Sequence, residues 1–207
     1  MARDTGSIVK MSRREGYALH PKAHKFLAKR TTIPGAKANS RGPRGKASQY
    51  SLQLREKQKV KRLYGLLEKQ FSNLMKEASR KQGQSGENLL QFLELRFDNT
   101  VYRSGFAVSR RAARQLTTHG HLMVNGRRVD IPSLRVQVGD VLTVRTQSSK
   151  SEYFKRLDEV SPANPDSVPS WMKVDRKKME IKVTGLPTRD DAEPDINEQL
   201  IVEYYSR

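Results

Sequence analysis

SRRAARQLTTHGHLMVNGRRVDIPSLRVQVGDVLTVR, running from Ser109 to Arg145, is the stretch that decides the fold. In order, it reads as a short helix, a tight hairpin and a closing strand. Ser109 stands where its hydroxyl can accept from the free N–H groups of a first helical turn. Arg110 and Arg114 are four apart, as are Arg111 and Gln115, so each pair runs along one side of the helix. Ala112, Ala113 and Leu116 are expected on the buried side. Gly120 turns left-handed at no steric cost and is expected to end the helix. Leu122 and Val124 then alternate as a strand, and Asn125-Gly126 supplies the two positive-φ positions of a type I′ turn. Val129 and Ile131 alternate on the return, and Gly139-Asp140 turns the chain into Val141–Val144. The spacing predicts a small α/β unit with guanidinium groups on its helix and beside its hairpin turn, at Arg127 and Arg128.

Taken together, SRRAARQL, HGHLMVNGRRV and VGDVLTV resemble, in this order and at these spacings, the RNA-binding module named after bacterial small-subunit ribosomal protein four. That module also occurs on pseudouridine synthases and on a tRNA synthetase, so the resemblance implies RNA binding and no particular activity. The residues alone also admit a solvated basic helix in an ordinary α+β domain.

The chain has 207 residues, enough for one or two domains with their own cores. Forty Lys and Arg stand against 22 Asp and Glu, for a net charge of +18, and a field that positive steers toward polyanions. No apolar run approaches the ~20 residues of a membrane-spanning helix. Met1–Lys10 has no apolar core of a signal peptide. Without cysteine there is no disulfide scaffold and no thiolate zinc site. The charge is uneven: residues 1–62 hold 17 basic and 3 acidic residues, whereas residues 186–207 hold 2 and 6. The first of these ends suits phosphate and the second does not.

Residues 1–50 are poor in large apolar side chains and cannot bury enough surface to fold by themselves. The expectation is an extension with a few short turns. Within it, SRREG (Ser12–Gly16) resembles the N-terminal signature of the same ribosomal family. Lys10–Arg13 also looks like the ATP-binding loop of class I tRNA synthetases, but the nucleotide-binding domain which that loop requires is not in this sequence. His20 and His24 have a metal-like spacing, yet two ligands leave a tetrahedral zinc site half empty. Some family members carry a zinc-binding cysteine cluster here, and this chain does not.

From Ser48 to Gln82, Val60, Leu63, Tyr64, Leu67, Phe71, Leu74, Met75 and Ala78 recur at helical spacing. This predicts one long helix, with Gly65 inside it at a cost of ~1 kcal/mol. Lys57, Lys61, Lys69 and Lys76 are expected to face solvent or phosphate. QLREKQKVKRLYGLLEKQF (Gln53–Phe71) again resembles the family. GENLLQFLELRFDNTVYRSGF (Gly86–Phe106) restarts the helix, with Leu89, Leu90, Leu93 and Phe97 on one face and a stop near Gly105. Ser161–Pro165 and Val168–Ser170 read as loop. Trp171–Val174 and Glu180–Thr184 are expected to pair across Asp175–Lys178. DINEQLIVEYYSR resembles the family's C-terminal signature. Asp195 and Glu198 make a capping-box-like helix start, and Leu200, Ile201, Tyr204 and Tyr205 form a stripe; a short strand over Leu200–Tyr204 is the alternative.

The resemblance covers essentially the whole chain, which is identified as a member of the family of bacterial small-subunit ribosomal protein four. It implies an α+β fold. A mostly helical domain takes residues 48–92 and 186–207, and an inserted α/β RNA-binding domain takes 93–185, with its core module at 97–157. A basic, partly extended segment takes 1–47. It implies 16S rRNA contacts by Arg13, Arg14, Arg55, Lys57, Lys61, Arg62, Arg103, Arg110, Arg111, Arg114, Gln115, His119, His121, Asn125, Arg127 and Arg128. It implies contact with mRNA at the entry channel by Arg41, Arg44 and Lys46. Glu198, Leu200, Tyr204 and Tyr205 would meet protein, with ribosomal proteins three and five as partners. Early binding to the 5′ domain of the rRNA and a part in translational accuracy are further implications. No catalytic residue, metal, cofactor, small-molecule substrate or membrane is expected. A pseudouridine synthase would need a catalytic domain for which the remaining segments are too short and too basic. A stand-alone stress-type RNA-binding protein is the alternative, though it needs neither SRREG nor DINEQLIVEYYSR.

Overall fold

Poor as the N-terminal stretch is in large apolar residues, it contains two helices in a computed structural model of the chain, which describes residues 4–30, 32–35, 48–162 and 168–206. Helix α1 (Ile8–Glu15) ends on Gly16 at φ 66°. Helix α2 (Pro21–Lys29) begins with proline in its first turn, where a missing N–H costs nothing, and His20 Nδ1 accepts from Lys22 N at 3.0 Å. This corrects the expectation of an extension with short turns. Polar anchors do what apolar burial cannot. Ser12 is sealed from solvent, donating to the Ile8 carbonyl at 2.8 Å and accepting from Leu19 N at 3.3 Å. Arg13 Nη2 donates to the Thr32 carbonyl at 2.6 Å. The buried Glu15 side chain takes Arg55 at 3.2 Å, and also Arg62, both from helix α3 (Gln49–Leu63).

The long helix expected over 48–82 is two helices. After α3 the chain turns at Gly65, φ 67°, and α4 (Glu68–Arg80) starts afresh. Gly65 N returns to the Arg62 carbonyl at 3.2 Å and Leu66 N to that of Lys61 at 2.9 Å. A left-handed glycine with these return bonds is a helix stop. Val60, Leu63, Tyr64, Phe71, Met75 and Ala78 are nonetheless all buried, as the periodicity requires.

Two compact units form, Met1–Asn88 with Asp195–Arg207, and Leu89–Pro194. Within the span expected as one helix from Gly86, α5 (Ser85–Glu94) gives way to α6 (Phe97–Arg103). At the break Arg96 is extended and bridges Arg135, while Phe97 N reaches the Leu134 carbonyl at 2.8 Å and Val136 N that of Leu95 at 2.9 Å. Backbone groups freed by the break are thus satisfied by residues 134–136. Helix α7 (Arg110–Thr118) follows, with Ser109 Oγ accepting from Ala112 N at 3.2 Å and Gly120 at φ 66°. Its buried face is Ala113 and Thr117, with Ala112 and Leu116 at the margin. β1 (Leu122–Val124) and β2 (Arg127–Val129) pair through Asn125 and Gly126, both at positive φ. Ile131, expected on the return strand, lies beyond it and is 54% exposed. Pro132 has no N–H to continue a ladder.

β3 (Val141–Val144) closes onto β1, and three short helices follow: α8 (Thr146–Ser149), α9 (Glu152–Lys155) and α10 (Leu157–Val160). β4 (Met172–Asp175) and β5 (Glu180–Val183) pair as expected, and β5 also joins β3. The result is one antiparallel sheet in the order β2-β1-β3-β5-β4. Phe97, Val101, Phe106, Ala113, Leu122, Leu142 and Ile181 are fully buried in its core.

Helix α11 (Glu198–Tyr205) returns the chain to α3. It is a helix, and its cap is Asn197, whose Oδ1 accepts from Leu200 N at 3.4 Å, in place of the expected Asp195. Asp195 instead offers its carbonyl to Lys59 Nζ at 2.7 Å, and Asn197 N donates to Glu56 at 2.9 Å. Gly86 is required here, because a Cβ would stand 2.7 Å from Glu198 Cγ. Lys57 is only 3% exposed, which corrects its expected place on solvent or phosphate. Its Nζ lies 2.7 Å from Glu68 Oε1 and 4.4 Å from the Tyr204 ring centroid. Tyr205 donates to the same Glu68 oxygen at 2.9 Å.

This knot should titrate. Burial works against ionisation of Glu68, but hydrogen bonds from Lys57, Lys61 and Tyr205 outweigh it and bring its pKa from 4.5 to about 2. A lowered carboxylate pKa contributes stability that is present above the unfolded value and lost as pH falls through the folded one. Acidification from 4.5 toward about 2 is therefore expected to loosen α11. The measurement is the protection of the Leu200–Tyr205 amides against hydrogen exchange, relative to the intrinsic rate at each pH, which should fall over that window and respond less in a Glu68→Gln variant.

Candidate nucleic-acid interface

The arginines of α6 and α7 are of two kinds. Arg110 Nε donates to Asn99 Oδ1 and Nη2 to Glu193 Oε1, both at 2.9 Å, and its guanidinium lies 4.6 Å from the Tyr102 ring centroid. Arg114 Nη1 stands 3.4 Å from Asp98 Oδ2. Asp98 is itself held by Arg96 in a two-pronged pair at 3.0 and 2.9 Å. Glu94, wholly buried, takes Arg103 the same way at 3.0 and 2.9 Å and also accepts from Asn99 Nδ2 at 2.8 Å. Paired forks of this type fix orientation as well as charge. Arg110 and Arg114 therefore tie α7 to α6, and Arg103 ties α6 to α5.

Arg111 and Gln115, by contrast, are exposed, and among the described residues Arg111 has no ion-pair partner. His119, one more helical step on, is also exposed. Arg127 and Arg128 are exposed on the edge strand β2. The register places Arg127 on the sheet face of Leu122 and Val124, and Arg128 on the other. Arg128 folds back over Gly120, where a Cβ would come within 2.3 Å of its Nε, and its Nη2 lies 3.5 Å from the His119 carbonyl. Gly120 is needed for its φ of 66°, and the exposed, flexible Arg128 side chain lies over it. His121 is half-buried, Nδ1 3.0 Å from Ser148 Oγ. Burial first, then His119, Arg145 and Arg128, hold its pKa below the usual histidine value. Asn125 is exposed but its amide is engaged: Nδ2 donates to Asp140 at 2.8 Å and Oδ1 accepts from Val141 N at 2.9 Å, which ties the hairpin to β3. The surface is a strip of permanent cations and hydrogen-bonding side chains along α7, continued around the hairpin. Such groups suit phosphate oxygens, and the arginine fork matches them two at a time.

The Ribosomal protein S4/S9 N-terminal domain family matches residues 3–94, and the S4 domain family matches 95–142. The chain is 50% identical over 211 residues to small ribosomal subunit protein uS4 of Herpetosiphon aurantiacus, with both chains covered completely. It is 49% identical to the uS4 protein of Chlorobium limicola and 48% to that of Chloroflexus aurantiacus, each over 207 residues and the whole of both chains. The chain belongs to the bacterial uS4 family.

The remaining family positions fall differently. In the first unit Arg14 is exposed, while Arg13, Arg55 and Arg62 are anchors of the N-terminal helices. Lys57 and Lys61 both serve Glu68, Lys61 at 2.9 Å. Arg41, Arg44 and Lys46 lie outside the described residues. Tyr204 and Tyr205 pack inside the unit, Tyr205 with its ring 6.2 Å from that of Phe71; Leu200 and Glu198 are half-buried. Sequence reading missed the carboxylates Glu94, Asp98 and Glu193 that sort the arginines. Their signal is slight: acidic residues in or near helices of a strongly basic chain.

Proposed function

We propose that this chain is a structural, non-catalytic constituent of the small ribosomal subunit that binds 16S rRNA through the α7 and hairpin face of its second unit. One observation carries the reading. Arg111 and Arg127 stand exposed without an ion-pair partner among the described residues, in a module whose Arg103, Arg110 and Arg114 are all tied to carboxylates. Family membership supplies the target, since the relatives are named as small-subunit proteins.

The finer reading has the chain bind early to the 5′ domain of the rRNA. Arg41, Arg44 and Lys46 then border incoming mRNA, and the C-terminal helix adjoins protein. The half-buried Glu198 and Leu200 carry that last part, on a helix that Tyr204 and Tyr205 hold to the unit from within, with ribosomal protein five across the boundary and protein three nearby, and accuracy depends on it. Support comes from the excess of 17 basic over 3 acidic residues in 1–62 and from the acidic balance at the C-terminal end. On this reading the protein works in the cytoplasm, within the subunit, and needs no cofactor or small-molecule substrate. Co-sedimentation tests it: the protein should stay with small subunits through a high-salt wash. Release into the wash would favour a stand-alone RNA-binding protein.

A further inference from the structure

Glu94, Asp98 and Glu193 meet arginines of α6 and α7, and Glu193 is unlike the other two. Glu94 and Asp98 lie at the helices themselves and are buried. Glu193 sits in irregular chain after β5, and its side chain is 20% exposed. One of its oxygens, Oε1, stands 2.9 Å from Arg110 Nη2 and 3.6 Å from Arg103 Nη2. An anionic oxygen held between two guanidinium groups is the arrangement in which arginines take phosphate.

The two arginines do not depend on Glu193 for their positions. Arg103 has Glu94 as a complete two-pronged counter-ion. Arg110 is aimed by Asn99 and stacked on Tyr102. Their side chains are 15% and 13% exposed, so both reach the surface of the RNA-binding unit. Without Glu193, the two guanidiniums would still stand together beside the carboxylate of Glu94. A site preorganised in this way binds its anion without the cost of ordering it. Ala192, next to Glu193 in the chain, is buried and anchors the backbone at this point.

We propose that Arg103 and Arg110 form a phosphate site for the RNA backbone, and that Glu193 fills it in the free protein as a stand-in anion which RNA displaces. This rests on the reading that the second unit binds rRNA. It makes Glu193 a brake on binding, opposite in sign to a structural strut.

The test uses the full chain and a transcript of the small-subunit rRNA 5′ domain over a salt series. Glu193→Gln is expected to raise affinity on the order of threefold to tenfold, and to steepen the salt dependence by roughly 0.9 for each further phosphate that the protein neutralises. Glu159→Gln removes an exposed carboxylate on α10 and should change affinity less than about twofold, as a screened charge does. In an Arg110→Gln background the gain from Glu193→Gln should vanish. An unchanged or lowered affinity in Glu193→Gln overturns the proposal, whether or not its thermal melt is also lowered. An equal rise in Glu159→Gln does so too. Arg111→Ala with Arg127→Ala reports on the RNA-binding reading separately: if that pair binds like the parent, the reading itself fails, whatever Glu193 does.

Discussion

Asp98→Ala is expected to destabilise the second unit by about 3–5 kcal/mol, because it strands buried charge. Asp98 is buried, pairs with Arg96 through both carboxylate oxygens, and meets Arg114 from α7 at 3.4 Å. Its removal takes from the buried Arg96 guanidinium its two-pronged partner and from Arg114 one ion pair. Asp98→Asn keeps the shape and one acceptor and should lose less. Arg114→Ala leaves the Arg96–Asp98 pair whole and should also lose less. The measurement is urea unfolding followed by tryptophan fluorescence. Trp171 is the chain's one tryptophan and is buried in the core that holds Phe97 and Val101, so its emission reports this unit. A midpoint shift with unchanged slope gives the loss of stability directly.

The triple variant Arg111→Ala, Arg127→Ala, Arg128→Ala is expected to behave in the opposite way. Its stability should stay within about 0.5 kcal/mol of the parent, as exposed side chains with few internal ties allow. Its rRNA affinity should fall on the order of a hundredfold near physiological salt, with the salt slope reduced by roughly 0.9 for each phosphate no longer neutralised. Filter binding over a salt series reads both. The two variants together separate arginines that position α7 from arginines that meet phosphate. Loss of stability in the triple variant, or a slope like the parent's, would merge the two groups again.

What was legible in the sequence is what local geometry dictates. Ser109, Gly120, Asn125-Gly126 and Gly139 each satisfy a rule about capping or positive φ that needs no distant partner, and each stands where the rule puts it. Gly65 shows the limit of such rules. The apolar stripe runs in phase through α3 and α4, so periodicity could not reveal the break, and the same glycine suits a helix interior poorly or a helix stop well. The return bond from Leu66 N to the Lys61 carbonyl decides it.

Long-range pairing was not legible. Composition spoke against folded N-terminal helices, yet Glu15 finds Arg55 and Arg62, which lie 40 and 47 residues on. Arg110 meets Glu193 across 83 residues of chain. A basic helix shows its arginines in the sequence but not their counter-ions. That is why Lys57, Arg62 and Arg114 read as RNA contacts beside Arg111. The pairing of β4 with β5 could be read from alternation, whereas the joining of β5 to β3 rests on tertiary register.

The most direct test of rRNA binding by the α7 face uses the absence of cysteine, since one introduced thiol then carries one probe. Gln115→Cys, exposed on α7 one turn from Arg111, would bear a tethered iron chelate that releases hydroxyl radicals in reconstituted small subunits. Glu159→Cys, exposed on α10 beside Asp158, serves as the reference position. The expected result is strong cleavage of small-subunit rRNA in a compact cluster of nucleotides from position 115, and weak cleavage from position 159. Strong cleavage from position 159 with none from position 115 would contradict the binding of rRNA by this face.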